Sequence, residues 1–519
     1  MKTLMGGETE YAISARDAVG VVIPQETVLV DFLEHAKDVL GYSSVSSAGR
    51  FVGNGGLLYL DSGLHIECAT PECTSPHDVV RFLQAGDAIV SHVAASLARV
   101  EGHTEVFCSR ANVDYLSKTI WASHESYMHH VDPALLPGQL IPFLASRVVL
   151  TGAGGWDVRS PGLAFMLSPR ASFITEVAGH DSQYVRPLFH TKDETLSETG
   201  SHRLHVACAE SLCSESANVL RFGTTALVLA LLEQGARPGT PVTLASPISA
   251  VQRFASDPNG RALATIQSGR RVTAVDIQRH YLAAVEQSLG GSDLPEWAES
   301  LCGLWRETLD SVARGPAHVD ATLDWAIKRR LFARQLERQR LDWTTLPVWT
   351  TAVLGLRQVW KKSRRERERF DLNRVITGAA AREARDAGVG AFLARHALSW
   401  QDLPAFAAAR EALLELDAKF SALGEDGVFS RLDRSGVLHH RVLGPAAPGG
   451  HDRPPLDTRA RVRGDVIRRL SAHGTAYQAD WTHVWDFDDR RVLDLGDPFE
   501  TEERWQPWPG DSEAAVSRA

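Results

Sequence analysis

Three short segments of the chain carry acidic, phenolic or imidazole side chains at every second position. Glu8 and Glu10 flank Thr9, Tyr59 and Asp61 flank Leu60, and His65 and Glu67 flank Ile66. In an extended strand residues i and i+2 point to the same face, so each pair can look into one cleft. Segments 4–13 and 57–60 are apolar enough to be buried strands, and Ser62-Gly63 can turn the chain between the second pair and the third. A buried carboxylate without a counter-charge is expensive. Converging carboxylates therefore imply a cation, and oxygen ligands favour magnesium or manganese over zinc. The same spacing also suits edge strands on a solvated surface, and the pattern alone leaves both readings open.

The elements that must position these residues alternate irregularly between short strand-like runs and long amphipathic helices, which predicts an α+β fold. Ser75-Pro76-His77-Asp78 reads as a helix start, with a serine N-cap, proline at the first helical position and an acid in the first turn. Apolar Val79, Val80, Leu83, Val90, Val93, Ala94 and Leu97 follow at helical spacing. A second helix is expected over 215–234, stopped by Gly235, and a third over 320–341. Segment 343–400 differs in character: a charge run at 361–369 precedes an alanine-rich helical stretch at 379–398. Its mixed signs suit a solvated helix face or a docking surface for an acidic partner. The Pro- and Gly-rich stretch 445–455 reads as a linker between a body of residues 1–442 and a small C-terminal domain, 456–519.

Composition and motifs exclude several classes. A net charge of -9 argues against a nucleic-acid binder, whose phosphate contacts need a basic excess. No apolar run approaches the ~20 residues of a membrane span, and the first residues lack a signal-peptide core. The cytoplasm is the expected location. None of the six cysteines (68, 73, 108, 208, 213 and 302) forms a CxxC or pairs with a histidine at zinc-ligand spacing, so buried, reduced thiols are expected. His124-Glu125 lacks a second histidine four residues on, position 128 being Met, which rules out a zinc-protease helix. Neither Gly152-Ala-Gly154-Gly155 nor Gly53-Asn54-Gly55-Gly56 is a phosphate-binding glycine loop, and there is no Walker A motif or nucleophile elbow. Any nucleotide must be held another way.

Met5-Gly-Gly-Glu8-Thr-Glu10-Tyr11, Asn54-Gly-Gly-Leu57-Leu-Tyr59-Leu-Asp61 and His65-Ile-Glu67-Cys-Ala-Thr70-Pro-Glu72-Cys73 together resemble the signatures of the Pup ligase and depupylase family. The resemblance continues through Asn112-Val-Asp114, Ser123-His124-Glu125-Ser-Tyr127, Leu167-Ser-Pro-Arg170, Thr191-Lys-Asp-Glu194, Arg203-Leu-His205-Val206 and Gly223-Thr-Thr-Ala226. It extends to 319–329, Thr458-Arg-Ala-Arg461-Val-Arg-Gly464 and Asp480-Trp481, in order along nearly the whole chain. It implies a glutamine-synthetase-like large domain, a curved antiparallel sheet packed with helices, followed by a small C-terminal domain. Segment 343–400 looks like an insertion relative to the family. The resemblance further implies a magnesium site using Glu8, Tyr59 and Glu67 with Glu10 and His205 nearby, Asp61 as the catalytic aspartate, and Thr70 and Trp481 in contact with ATP.

Family ligases join the side-chain carboxylate of the C-terminal glutamate of Pup, a small protein tag, to lysines of target proteins; depupylases, also deamidases, hydrolyse that bond. The residue types suit ligation. A carboxylate must be phosphorylated before an amine can displace it, metal ions neutralise the phosphates, and an aspartate can take the proton of the attacking amine. The interval 12–52 lacks the extra loop of depupylases and looks ligase-like, whereas Tyr11 and Ser123 lean toward depupylases. Four positions depart from the family around the nucleotide. Leu57 stands in an arginine slot, Lys192 replaces arginine, Ser126 replaces asparagine and His202 replaces the first of two arginines. Arg50, Arg170 and Arg203 are the candidates to supply the missing charge. The expectation is an ATP-dependent ligase, with a depupylase or deamidase, or a catalytically silent tag-binding homologue, as the alternatives.

Overall fold

The structure, a computed structural model, describes residues 3–42, 49–100, 102–180, 186–191, 200–290, 294–362, 370–377, 388–425, 427–444 and 453–508. Its centre is a seven-stranded sheet made of β1 (Met5–Arg16), β2 (Gly49–Phe51), β3 (Leu57–Leu60), β4 (Ile66–Ala69), β5 (Glu105–Ser109), β6 (Glu125–His129) and β7 (His202–Val206). The order is β7-β6-β1-β4-β3-β2, with β5 paired to the end of β1, and every pairing is antiparallel. The Ser62-Gly63 turn joins β3 to β4 as the spacing predicted.

Helices cover one face of this sheet. Helix α1 (Gln25–Leu40) packs on α2 (Pro76–Leu97), and α2 packs on α3 (Glu215–Glu233). The Ser75 hydroxyl accepts the Asp78 amide at 3.1 Å, capping α2 as expected. Gly235 takes φ +89° just beyond α3, ending it as expected. Helix α3 is buried along nearly its whole length, its polar Asn218, Arg221 and Thr225 included, so it sits in the middle of the core. The third expected helix is shorter than its pattern, Asp324–Arg338. A 3-10 turn precedes it at Pro316–His318, and Asp324 is held as an acceptor for the amides of Cys213 and Ser214, 2.6 and 3.1 Å away. Arg340 at φ +57° ends it.

Segment 343–400 is helical where described, and it has its own core. The helices Leu346–Lys362, Leu372–Thr377 and Val389–Arg395 bury Trp349, Leu356, Trp360 and Leu393 against Trp156, Phe332 and Phe406. Most of the charge run, 363–369, the stretch 379–387 and most of the linker, 445–452, lie outside the described residues. The C-terminal unit packs the helix Arg459–Ala472 on a four-stranded antiparallel sheet of Tyr477–Ala479, His483–Asp486, Arg491–Asp494 and Trp505–Pro507. Its core includes Phe51 of β2, with Leu57 and Trp481 at its edge.

Glycines allow this unit to dock. Gly55 has φ +84°, and a Cβ there would lie 2.7 Å from the Ala460 carbonyl oxygen. A Cβ at Gly464 would lie 2.5 Å from the Gly53 carbonyl oxygen. The 53–56 glycines therefore receive the C-terminal helix.

Candidate active site

Register explains how residues far apart in sequence meet. Glu10 faces Glu67 across β1 and β4, and Glu67 faces Tyr59 across β4 and β3, so the three form one row on one face of the sheet. Glu8 is two residues along β1 on that face. On the other flank Gly6, Ser126 and His205 form a second row. His124, two residues before Ser126, and Asp61 and His65, two residues from Tyr59 and Glu67, complete the group. A cleft of about 580 Å³ opens over this face, lined among others by Glu8, Glu10, Tyr59, Asp61, Glu67, Arg170, Arg203, His205 and Trp481.

The electrostatics of this face suit a bound cation. His124 stands amid three carboxylates, its Nδ1 3.1 Å from Glu8 and 3.8 Å from Glu67, its Nε2 3.8 Å from Glu10. Burial raises the Glu8 carboxyl, but the His124 hydrogen bond and the positive charge of Arg203 help to outweigh it and hold it well below the usual range. Glu67 goes the other way: burial, then repulsion from Glu8 and Glu10, pushes it well up. Its Oε1 is buried without a hydrogen-bond partner, an acceptor of the kind a divalent ion can satisfy. Burial pushes the Tyr59 phenol up, as do Glu8 and Glu67. Burial lowers His205 well below its ordinary value, leaving a neutral imidazole, the form that ligates metals. Three sets, Glu8–His124–His205, Glu10–Glu67–His124 and Glu10–Asp61–His65, each bring their ligand atoms within 4.8 Å of one another. Carboxylates with one or two imidazoles fit a hard divalent ion.

Asp61 sits at the turn beyond β3. Its Oδ1 accepts the His65 amide at 2.6 Å, and His65 Nδ1 lies 3.5 Å from its Oδ2 and 3.2 Å from Glu10. Burial raises the Asp61 carboxyl, but these His65 bonds prevail and lower it, so it is ionised at neutral pH. An ionised carboxylate at the cleft wall can accept a proton.

A smaller, mostly apolar cavity of about 110 Å³ adjoins the cleft at the seam with the C-terminal unit. Met5, Gly6, Thr70, Pro71 and Tyr127 line it from the sheet, and Arg459, Trp481 and Pro498 from the C-terminal side. Glu8, Arg203 and Trp481 border both spaces. The Thr70 hydroxyl accepts the Gly7 amide at 3.0 Å. Arg203 donates to Ser126 Oγ from Nε at 3.2 Å and Nη2 at 2.9 Å, and Nη2 is 3.5 Å from Glu8. Arg170 donates to the carbonyls of Trp121 and Ala207 at 2.6 and 3.2 Å.

The structure thus brings together Glu8, Glu10, Tyr59, Asp61, Glu67, His205, Arg170, Arg203 and Trp481 in one cleft, with Thr70 at the adjoining cavity. Lys192 lies outside the described residues. Arg50 is on the reverse of the sheet, because it pairs with Leu58 and not with Tyr59, and it cannot supply charge to the cleft. Leu57 packs at the edge of the C-terminal core, and His202 stacks on His129. The sequence reading missed His124 as a cleft residue, whereas His65 lies in the cleft as its spacing with Glu67 predicted. The available signal was the two-residue step from His124 to Ser126, which places both on one face of an extended chain.

An antiparallel sheet carrying a carboxylate cleft on one face, with a small C-terminal unit packed at one end, defines a glutamine-synthetase-like enzyme fold. The family described as Pup-ligase protein matches residues 3–353 and 389–485, and the chain belongs to that family. It is 28% identical over 511 residues to a Pup–protein ligase of Paenarthrobacter aurescens, covering 96% of each. It is 33% identical over 467 residues to a Pup deamidase/depupylase of Mycobacterium tuberculosis, covering 88% of this chain and 77% of that one. The crystal structure of the complex between prokaryotic ubiquitin-like protein Pup and its ligase PafA superposes with a TM-score of 0.72 at 23% identity, covering 100% of this chain and 92% of that one. The Pup ligase PafA with ADP gives 0.66 at 23%, covering 91% and 90%. At that identity these two likenesses speak for the fold.

Proposed function

We propose that the protein is an ATP-dependent ligase that joins the side-chain carboxylate of a Pup-like tag's C-terminal glutamate to lysines of target proteins in the cytoplasm. The observation that carries this reading is the single row Glu10, Glu67, Tyr59 beside Asp61, facing a cleft that continues into the apolar seam cavity. The nucleotide base enters the seam against Thr70 and Trp481, and the phosphates pass Arg203 toward Glu8. Arg170 and Lys192 add positive charge. Glu8, Glu10, Tyr59, Glu67 and His205, joined by His124, would hold magnesium, which would neutralise the charge of the phosphates.

The γ-phosphoryl group moves to the tag's carboxylate, giving an acyl phosphate and ADP. The lysine amine then attacks the acyl carbon, the C–N bond forms, the bond to phosphate oxygen breaks, and Asp61 takes the amine proton. Free lysine, with a pKa of about 10.4, is mostly protonated at neutral pH, so an ionised carboxylate at the point of entry is needed. Leu57 removes an arginine from one side of the nucleotide, and Arg203, aimed by Ser126, brings charge from the opposite side of Glu8.

The hydrolase alternative rests on Tyr11, Ser123 and the 33% identity to a depupylase. Both residues face away from the cleft: the Tyr11 hydroxyl donates to Asp87 at 3.0 Å and Ser123 accepts from Arg221 at 3.1 Å, each among the buried helices. They favour neither reaction by contact with substrate. We also take residues 1–442 as the catalytic domain, 456–519 as the C-terminal domain and 343–400 as a helical insertion, a division supported by the unmatched interval 354–388 and by the separate helical core.

The test is mass spectrometry of a reaction with ATP, magnesium, a glutamate-terminated Pup and a lysine-bearing protein. A conjugate lighter than its parts by one water supports ligation. Release of tag from a preformed conjugate, without ligation, selects the hydrolase. Absence of both, with no thermal stabilisation by millimolar ATP and magnesium, leaves a binding protein.

A further inference from the structure

The seam cavity has two walls that belong to different parts of the chain, and one buried side chain touches both. Arg463, on the C-terminal helix, is fully buried. Its guanidinium lies 4.9 Å from the ring centres of both Phe51 and Trp481, and those rings meet edge to face at 5.0 Å. Nη1 donates to the Trp481 carbonyl at 3.1 Å, so the arginine fixes the backbone as well as the ring of the residue that borders both cavities. Nε and Nη2 donate to the Gly55 carbonyl at 3.1 and 2.8 Å. The remaining donors reach the Glu72 carboxylate, Nη1 at 3.2 Å to Oε1 and Nη2 to Oε2. Glu72 is two residues beyond Thr70 and lines the same cavity. The Thr458 hydroxyl donates to the Glu72 carbonyl at 2.9 Å, and Arg459 donates from Nε to Glu72 Oε1 at 2.6 Å.

We propose that Arg463 is a positioning residue for the nucleotide: it sets Trp481 against the Thr70–Glu72 wall, so that docking of the C-terminal domain and nucleotide binding are linked. The inference rests on the reading of the seam as the nucleotide site. Shape is the reason for arginine. A planar fork serves three acceptors while packing against two rings, and a lysine ammonium supplies one point of charge and no plane. Linkage is reciprocal: whatever seats the domain tightens nucleotide, and nucleotide seats the domain.

Two measurements test it. Nucleotide affinity is compared by calorimetry with magnesium and ATP in the parent and in Arg463→Lys, alongside steady-state kinetics. R463K should weaken ATP about tenfold or more and raise KM for ATP accordingly, with kcat at saturating ATP within about threefold of the parent. A role confined to stability would lower the folded amount without moving KM. Hydrogen exchange of the parent protein should slow across residues 459–472 when ATP and magnesium are added, and this second measurement decides the matter if R463K does not fold. Parent-like affinity in folded R463K, or exchange at 459–472 that ignores bound nucleotide, overturns the proposal. A parent protein that binds no nucleotide at millimolar concentration overturns the functional reading itself, and this inference with it.

Discussion

Glu72 is where acid should first loosen the C-terminal domain. Burial pushes its carboxyl up, but Arg463 and Arg459 pull it from an ordinary 4.5 down to about 2. A depressed folded value means that the unfolded chain takes up the proton first. The stabilisation is fully present above about pH 4.5 and drains away as pH falls toward 2. A gap of roughly 2.5 pH units is worth about 3 kcal/mol, and at pH 3 only about 1 kcal/mol of it should remain. Glu72→Gln removes the charge and leaves two buried guanidiniums side by side, a cost of about 3–5 kcal/mol at neutral pH. The assay is the opening free energy of residues 459–472 from hydrogen exchange in dilute urea, corrected for the intrinsic pH dependence of exchange, for parent and E72Q between pH 6 and pH 3. Their difference should shrink by about 2 kcal/mol over that range. A difference that stays constant with pH would show that the carboxylate is not held by the two arginines, and the reasoning would fail.

Asp61→Asn should cut kcat about 10²- to 10⁴-fold while leaving ATP affinity at the parent value; product formed at the parent rate removes Asp61 as the base. Gly464→Ala places a methyl group against the Gly53 carbonyl and should destabilise the docked C-terminal helix by about 1–3 kcal/mol, seen as faster exchange at 459–472; unchanged exchange would mean that the seam is loose. Lys328 and Asp417 are buried at 2.7 Å from each other, with the Tyr115 hydroxyl on the same carboxylate. Lys328→Met should cost about 3–5 kcal/mol in denaturant unfolding, with partial recovery in Lys328→Met/Asp417→Asn; no recovery would mean that the loss was packing and not charge. Tyr11→Phe, on the reverse of the sheet, should leave the ratio of ligation to hydrolysis unchanged by mass spectrometry. A shifted ratio would show that the helical face acts on the reaction.

Much of this was written in the sequence because the signals are local. Two-residue spacing in Glu8/Glu10, Tyr59/Asp61 and His65/Glu67 shows which side chains share a face, since the alternation of a strand is a property of the strand alone. Ser75-Pro76 marks the start of α2 for the same kind of reason: a cap satisfies amides within its own turn. Spacing cannot tell which strand lies beside which. That Glu67 falls directly between Glu10 and Tyr59 is a matter of register, set by pairing over separations that no local pattern encodes. Tertiary structure alone moved Arg50 to the reverse face, brought His124 into the midst of three carboxylates, and gave the 53–56 glycines their role as a seat for a helix some four hundred residues away. Each of these depends on the approach of separate elements. Their free energy comes from packing and charge between distant parts of the chain, and it exists only once the fold is made.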